Sequence, residues 1–166
     1  VTPILMLRKL AALDGQYFLL ESVEGGNLGR YSFLGYHPKL SVSCKNGVVK
    51  VKENGMVRIL PGKPKEALQS LLEQYRSPQI EGLPTFTGGL VGYFAYETIQ
   101  YAEPKLHIKQ SDVNDFELMM FDKLLAFDQV MHKLCIIVNA RTADGEAGYN
   151  KAVEEIDAFI ETLRIT

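Results

Sequence analysis

The sequence predicts an α+β fold, with largely antiparallel sheet built from hairpins and helices packed on it. Three observations carry this expectation. Two Asn-Gly pairs, Asn46-Gly47 and Asn54-Gly55, separate short apolar runs, and these residues tolerate the positive φ angles of tight hairpin turns. Apolar runs rich in β-branched and aromatic residues recur along the chain in adjacent groups. Helical periodicity falls between or after those groups and does not alternate with single strands, which argues against a doubly wound parallel sheet.

Thr2 before Pro3 supplies a side-chain cap and a pre-set first turn, and Leu7, Leu10 and Ala11 continue a short helix that stops at Asp14-Gly15. Residues 17–20 and 31–34 read as two strands joined by a loop containing Gly25, Gly26 and Gly29. Residues 40–44, 48–51 and 57–60 form a meander around the two Asn-Gly turns, closed by Pro61-Gly62. Residues 64–75 place Ala67, Leu68, Leu71, Leu72 and Tyr75 on one helical face. Residues 89–94 read as a strand and 96–101 as a helical turn. The polar stretch 105–115 is the expected mobile segment. Three more strands follow at 117–121, 124–128 and 134–139, with a hairpin loop at 129–133. The last element is a helix over 144–164 whose apolar face is expected at Tyr149, Val153, Ile156, Ile160 and Leu163.

The 166 residues suit one compact domain, with 46% hydrophobic and 23% charged residues, which is ordinary globular usage. A formal net charge of -2 supplies no basic stripe for phosphates, so neither nucleic acid nor a membrane surface is an expected partner. Cys44 and Cys135 are too few for a disulfide framework and read as reduced, buried thiols in a cytoplasmic protein. No apolar run reaches the roughly 20 residues that span a bilayer. The chain starts at Val1 instead of Met, which suggests a fragment or a trimmed chain.

No self-contained catalytic or metal centre is expected. The loop Gly25-Gly26-Asn27-Leu28-Gly29 matches neither a dinucleotide fingerprint nor a phosphate loop. Gly88, Gly89 and Gly92 point to close packing by another backbone or a helix. His37, His107 and His132 are scattered, with no carboxylate or cysteine at metal-ligand spacing. Ser22 and Ser32 lie in no nucleophile elbow.

One constellation does call for explanation. Glu21-Ser22 ends one strand and Arg30 begins the next, so a hairpin return brings a carboxylate, a hydroxyl and a guanidinium near one another. Such a set can grip an amino acid: Glu21 its ammonium, with Ser22 adding a hydrogen bond, and Arg30 its carboxylate. On spacing alone, a plain Glu21–Arg30 cross-strand pair with a capping serine is the better account.

Residues 18–35, FLLESVEGGNLGRYSFLG, closely resemble the amino-terminal signature of anthranilate synthase component I. The resemblance continues through residues 88–97, GGLVGYFAYE, and through 116–139, and so covers nearly the whole chain. It implies the amino-terminal part of a chorismate-utilising enzyme, in which tryptophan binds as a feedback inhibitor between this region and a larger chorismate-binding region. Carried over residue by residue, the Leu-Leu-Glu-Ser motif falls on Leu19, Leu20, Glu21 and Ser22, and the basic residue of the second strand on Arg30, with Tyr31 or Ser32 as alternatives. The expected inhibitor contacts are therefore Leu20, Glu21, Ser22 and Arg30.

The resemblance further implies magnesium in the parent enzyme and a glutamine amidotransferase subunit as partner. The motifs for the chorismate pocket, the magnesium-binding glutamates and the proline-containing part of the inhibitor site do not appear before Thr166, so no cofactor or catalysis is expected of this segment alone. The alternatives are the corresponding region of aminodeoxychorismate synthase and a free-standing amino-acid-binding module. A segment separated from a partner region should also expose an apolar patch, for which residues 88–94 and their neighbours are the candidates.

Overall fold

The computed structural model describes residues 2–12, 15–21, 29–109 and 111–164. They form an α+β arrangement with two sheets, one of four strands and one of five, and the chain divides into two compact units. The first unit comprises Val1–Pro38, Glu81–Gly88 and Phe121–Thr166, and the second Lys39–Ile80 and Gly89–Met120.

In the first unit, helix α1 (Pro3–Ala11) starts where Thr2 Oγ1 accepts the Leu5 N–H at 3.3 Å. Strands β1 (Tyr17–Leu20) and β2 (Tyr31–Tyr36) pair antiparallel, with Leu20 opposite Phe33. The four-stranded sheet is completed by two strands from the far end of the sequence, Lys123–Asp128 and Lys133–Val138, in the order first, second, Lys123–Asp128, Lys133–Val138. One face carries the core Met6, Leu10, Leu34, Leu125, Phe127 and Phe159, so the first and last helices cover the same side. Strand alternation turns Phe18 and Phe33 to the opposite face. There Phe86 meets both rings, and Phe18 also packs edge-on against Phe121 at 4.7 Å. Gly35 is required beneath this cluster, because any side chain there would run into the Phe18 ring.

The second unit begins with the meander β3 (Leu40–Lys45), β4 (Val48–Glu53) and β5 (Met56–Leu60). Both predicted turns form, with φ of 51° and 77° at Asn46-Gly47 and 49° and 79° at Asn54-Gly55. Helix α2 (Pro64–Glu73) follows, and Glu66 accepts the Lys63 N–H at its start. Strand β6 (Gly89–Phe94) leads through a 3-10 turn at Tyr96–Thr98 to the single-turn helix α3 (Ile99–Ala102), and β7 (Phe116–Phe121) closes the unit. The sheet order is β5-β4-β3-β7-β6. Leu40, Val42, Cys44, Val49, Val51, Phe116, Leu118 and Met120 form its buried face, with Ala67 and Leu71 of α2 against them. The close approach expected at Gly92 is present, since a side chain there would collide with the Glu117 carbonyl.

The strands Lys123–Asp128 and Lys133–Val138 are β8 and β9, and helix α4 (Gly145–Arg164) is the last element. Its expected face is covered only in part: Ile156, Ile160 and Leu163 are half-buried, and Leu163 packs on the core. Phe159 is the buried residue, whereas Tyr149 is 67% exposed and Val153 is also exposed. Apolar periodicity marks a stripe, but the stripe is buried only where the sheet and α1 lie beneath it, here under the carboxy-terminal half of the helix. Of the expected apolar patch, Tyr93 and Phe94 are exposed. The outer strand β5 adds exposed Met56, Val57 and Ile59, which the sequence reading did not single out. Among the described residues, no helix is long and apolar enough to cross a membrane.

Candidate functional site

Three strand ends meet at one corner of the four-stranded sheet. β1 runs out at Leu20 and Glu21, β2 enters after Arg30, and β8 ends at Asp128, which faces Tyr31 in the register. Leu20 and Glu21 are exposed there. Ser22, the fourth expected contact, lies outside the described residues. The strand pairing puts Leu20, Glu21 and Arg30 at the same end of the β1–β2 pair.

The partner of Arg30 was not foreseen. Its guanidinium donates to Asp128 Oδ2 through Nε at 3.0 Å and through Nη2 at 2.6 Å, and lies 4.9 Å from the Tyr31 ring centre. The bland reading of the sequence, a Glu21–Arg30 pair, is replaced by this Arg30–Asp128 pair. Asp128 Oδ1 accepts the N–H groups of Val130 and Met131 at 3.1 and 3.0 Å. The carboxylate is therefore used on both oxygens. The hydrogen bond from Arg30, aided by the Met131 and Val130 N–H groups, outweighs burial and holds the Asp128 carboxyl well below the usual range. The same hydrogen bond raises the Arg30 pKa.

Backbone and side chain tie the same turn to β2. The Gln129 N–H donates to the Arg30 carbonyl at 2.9 Å, and Gln129 Nε2 donates to the hydroxyl of the fully buried Ser32 at 2.9 Å. The only sequence signal for this was Asp128 at a strand end before a turn, a common place for an aspartate that caps its own turn. Its pairing with Arg30 spans 98 residues, beyond the reach of any local pattern.

A cleft of about 170 Å³ elsewhere in this unit lies between α4 and the sheet, walled by Ile136, Leu124 and Phe159. Lys123 and Glu155 form an ion pair at 2.7 Å on its lining. None of the expected inhibitor contacts lines it. Among the described residues no group of three or more His, Cys, Asp or Glu side chains is placed to hold a metal ion.

The second unit contains a buried polar cluster. Asp115 Oδ2 accepts from the Tyr101 hydroxyl at 2.6 Å, the Gly47 N–H at 3.2 Å and the Cys44 thiol at 3.5 Å. Burial works to raise the Asp115 pKa, but these donors and the Lys45 charge outweigh it and hold it below the ordinary value. Lys45 Nζ donates to the carbonyls of Ser111 and Val113, so the polar stretch expected to be mobile is fastened to the β3–β4 hairpin at its end.

No family model matches the sequence. Individual proteins do. Anthranilate synthase component 1 of Acetivibrio thermocellus is 34% identical over 160 residues, covering 93% of this chain and 32% of that protein. The protein of the same name from Synechocystis sp. is 34% identical over 173 residues, covering 99% of this chain and 34% of its own length. This chain is related to the amino-terminal region of anthranilate synthase component I. Anthranilate synthase alpha subunit 2 of Oryza sativa subsp. japonica, a chloroplastic protein, is 36% identical over 155 residues, covering 82% of this chain and 26% of that one.

The chain spans about a third of the length of these component I relatives. Their fold is shared as well. The crystal structure of anthranilate synthase component I from Streptococcus pneumoniae TIGR4 matches all of this chain and 35% of its own, with a TM-score of 0.63 at 24% identity. The segments that carry the sequence resemblance fall on the β1–β2 hairpin, on β6 and on β7 to β9.

Proposed function

We propose that this chain is the amino-terminal regulatory region of an anthranilate synthase large subunit and supplies part of a tryptophan feedback site through Leu20, Glu21, Ser22 and Arg30. The observation that carries the reading is the relationship to component I over 99% of the chain, combined with the gathering of Leu20, Glu21 and Arg30 at one end of the β1–β2 hairpin. Glu21 suits an ammonium group, Arg30 a carboxylate, and the exposed Leu20 side chain an apolar surface.

In the parent, chorismate is aminated with ammonia from a glutamine amidotransferase partner and loses pyruvate, and the remaining two thirds of the component I length supply the magnesium and the substrate pocket. This region acts by biasing an equilibrium. Tryptophan held at the hairpin end favours an arrangement that does not close over substrate, and it shifts that equilibrium by its difference in affinity for the two states. A part of a preorganised site stabilises a transition state little, so this chain by itself is not expected to turn over chorismate.

The test is tryptophan inhibition of the full-length gene product. Glu21→Gln and Ser22→Phe are expected to raise the half-inhibitory tryptophan concentration while kcat stays near that of the unaltered enzyme. Unchanged inhibition in both variants would overturn the assignment. Anthranilate formed by the 166-residue chain alone, given chorismate, ammonia and magnesium, would overturn the division of labour.

A further inference from the structure

We propose that Asp128 is a positioning residue for the tryptophan site: through its two hydrogen bonds it fixes the plane in which Arg30 receives the ligand's carboxylate. The inference rests on the reading of Arg30 given above and adds a residue and a turn to it.

The two partners differ in exposure. The Asp128 side chain is 7% exposed and the Arg30 side chain 40%, so one end of the pair is anchored inside the unit while the other remains accessible. Asp128 is in turn held by the Val130 and Met131 N–H groups on its second oxygen, which prevents the carboxylate from rotating to follow Arg30. A guanidinium has more N–H groups than Asp128 uses, and bonding Nε and Nη2 to one oxygen fixes the plane of all of them. The Tyr31 ring beneath and the Gln129 bond to the Arg30 carbonyl restrain the same residue from two further directions.

An unrestrained arginine loses much rotamer freedom when it binds a ligand, and one restrained beforehand has little left to lose. Charge acts in the same direction. Asp128 already compensates Arg30, so attraction of the ligand by net charge is weakened, and recognition depends on the direction in which the N–H groups point. Asp128→Asn keeps the shape and can keep the acceptor facing Val130 and Met131. It then turns an amide N–H₂ group toward the Arg30 donors, which drives the guanidinium out of its present plane.

The experiment is calorimetric titration of L-tryptophan into the full-length gene product, with kcat and KM measured alongside. Asp128→Asn is expected to weaken tryptophan about tenfold, the order lost with a charge-assisted hydrogen bond. Arg30→Met should weaken it at least as much. Arg30→Met combined with Asp128→Asn should bind no more weakly than Arg30→Met alone, because Asp128 acts only through Arg30.

Further weakening in the double variant, or wild-type affinity in Asp128→Asn beside a weakened Arg30→Met, overturns the positioning role and leaves the site assignment intact. Wild-type affinity in both Arg30→Met and Glu21→Gln sinks the site assignment and this inference with it. If Asp128→Asn fails to fold, Arg30→Lys replaces it: a lysine keeps the charge and loses the fork, and tight binding by that variant also overturns the proposal.

Discussion

The Tyr101 hydroxyl donates to the buried carboxylate of Asp115 at 2.6 Å, and so joins the helical turn after β6 to the residue that precedes β7. Removing that hydroxyl leaves a buried carboxylate with one donor fewer. Tyr101→Phe is expected to destabilise the fold by about 1–2 kcal/mol, measured as a shift in the urea midpoint. Asp115→Ala, which strands the Tyr101, Gly47 and Cys44 donors together, should cost more. Equal stability of the two variants would mean that the cluster is not a unit.

The two cysteines should react in a fixed order. Burial, with the hydrogen bond to the Asp115 carboxylate, pushes the Cys44 thiol up to about 11, and the side chain is fully enclosed. Cys135 is only half-buried. Alkylation of the folded chain near pH 8, read by mass spectrometry, should modify Cys135 first and Cys44 only on unfolding. Early labelling at Cys44 would contradict the structure of the cluster.

Stability should fall at both ends of the pH scale. Asp128 and Asp115 titrate below their ordinary value of 3.8 in the folded chain, so their contribution is present above that pH and is lost as the pH drops through the folded values. Cys44 and Tyr36 shift the other way, from 9.0 to about 11 and from 10.0 to about 12. Burial is the main cause in both, with the Glu155 charge adding to it at Tyr36. Their contribution is complete below pH 9.0 and disappears as the pH rises toward 12. Urea midpoints measured across this range should trace a plateau near neutrality with two falling flanks. A midpoint that keeps rising above pH 10 would be inconsistent.

Gly92 lies against the backbone of β7. Gly92→Ala should destabilise the chain by about 1–3 kcal/mol, as overpacking does, although alanine is otherwise the smallest possible change. A thermal midpoint unchanged from the parent would show that β6 can move away from β7 without loss.

Phe159 is where α4 enters the core, beside Met6, Leu10 and Phe127. Phe159→Ala should cost about 3–5 kcal/mol, whereas Tyr149→Ala on the exposed part of the same helix should stay within about 0.5 kcal/mol. Similar losses in both would restore the face that apolar periodicity alone suggests.

Much of the fold was legible because its signals are local. Asn46-Gly47 and Asn54-Gly55 specify their turns through backbone conformations that few other residues accept, and the alternation along β3 and β4 follows from side chains pointing to opposite faces. The Thr2 cap and the apolar stripe of α2 were equally readable. Of the candidate site, only its place in the sheet was legible: Leu20, Glu21 and Arg30 lie at the same end of the β1–β2 pair because consecutive antiparallel strands return on themselves.

The sequence by itself determined the fold class, the approximate positions of the nine strands among the described residues and the relationship to anthranilate synthase component I. Only the tertiary structure decided which carboxylate Arg30 meets, how far along α4 the buried stripe extends, and that Asp115 is enclosed. The physical reason is range. Turn and strand preferences act over a few residues, but the order β1-β2-β8-β9 brings Asp128 beside Arg30 across 98 residues of chain. An ion pair of that kind depends on which strands become neighbours, and no local pattern around either residue contains that information.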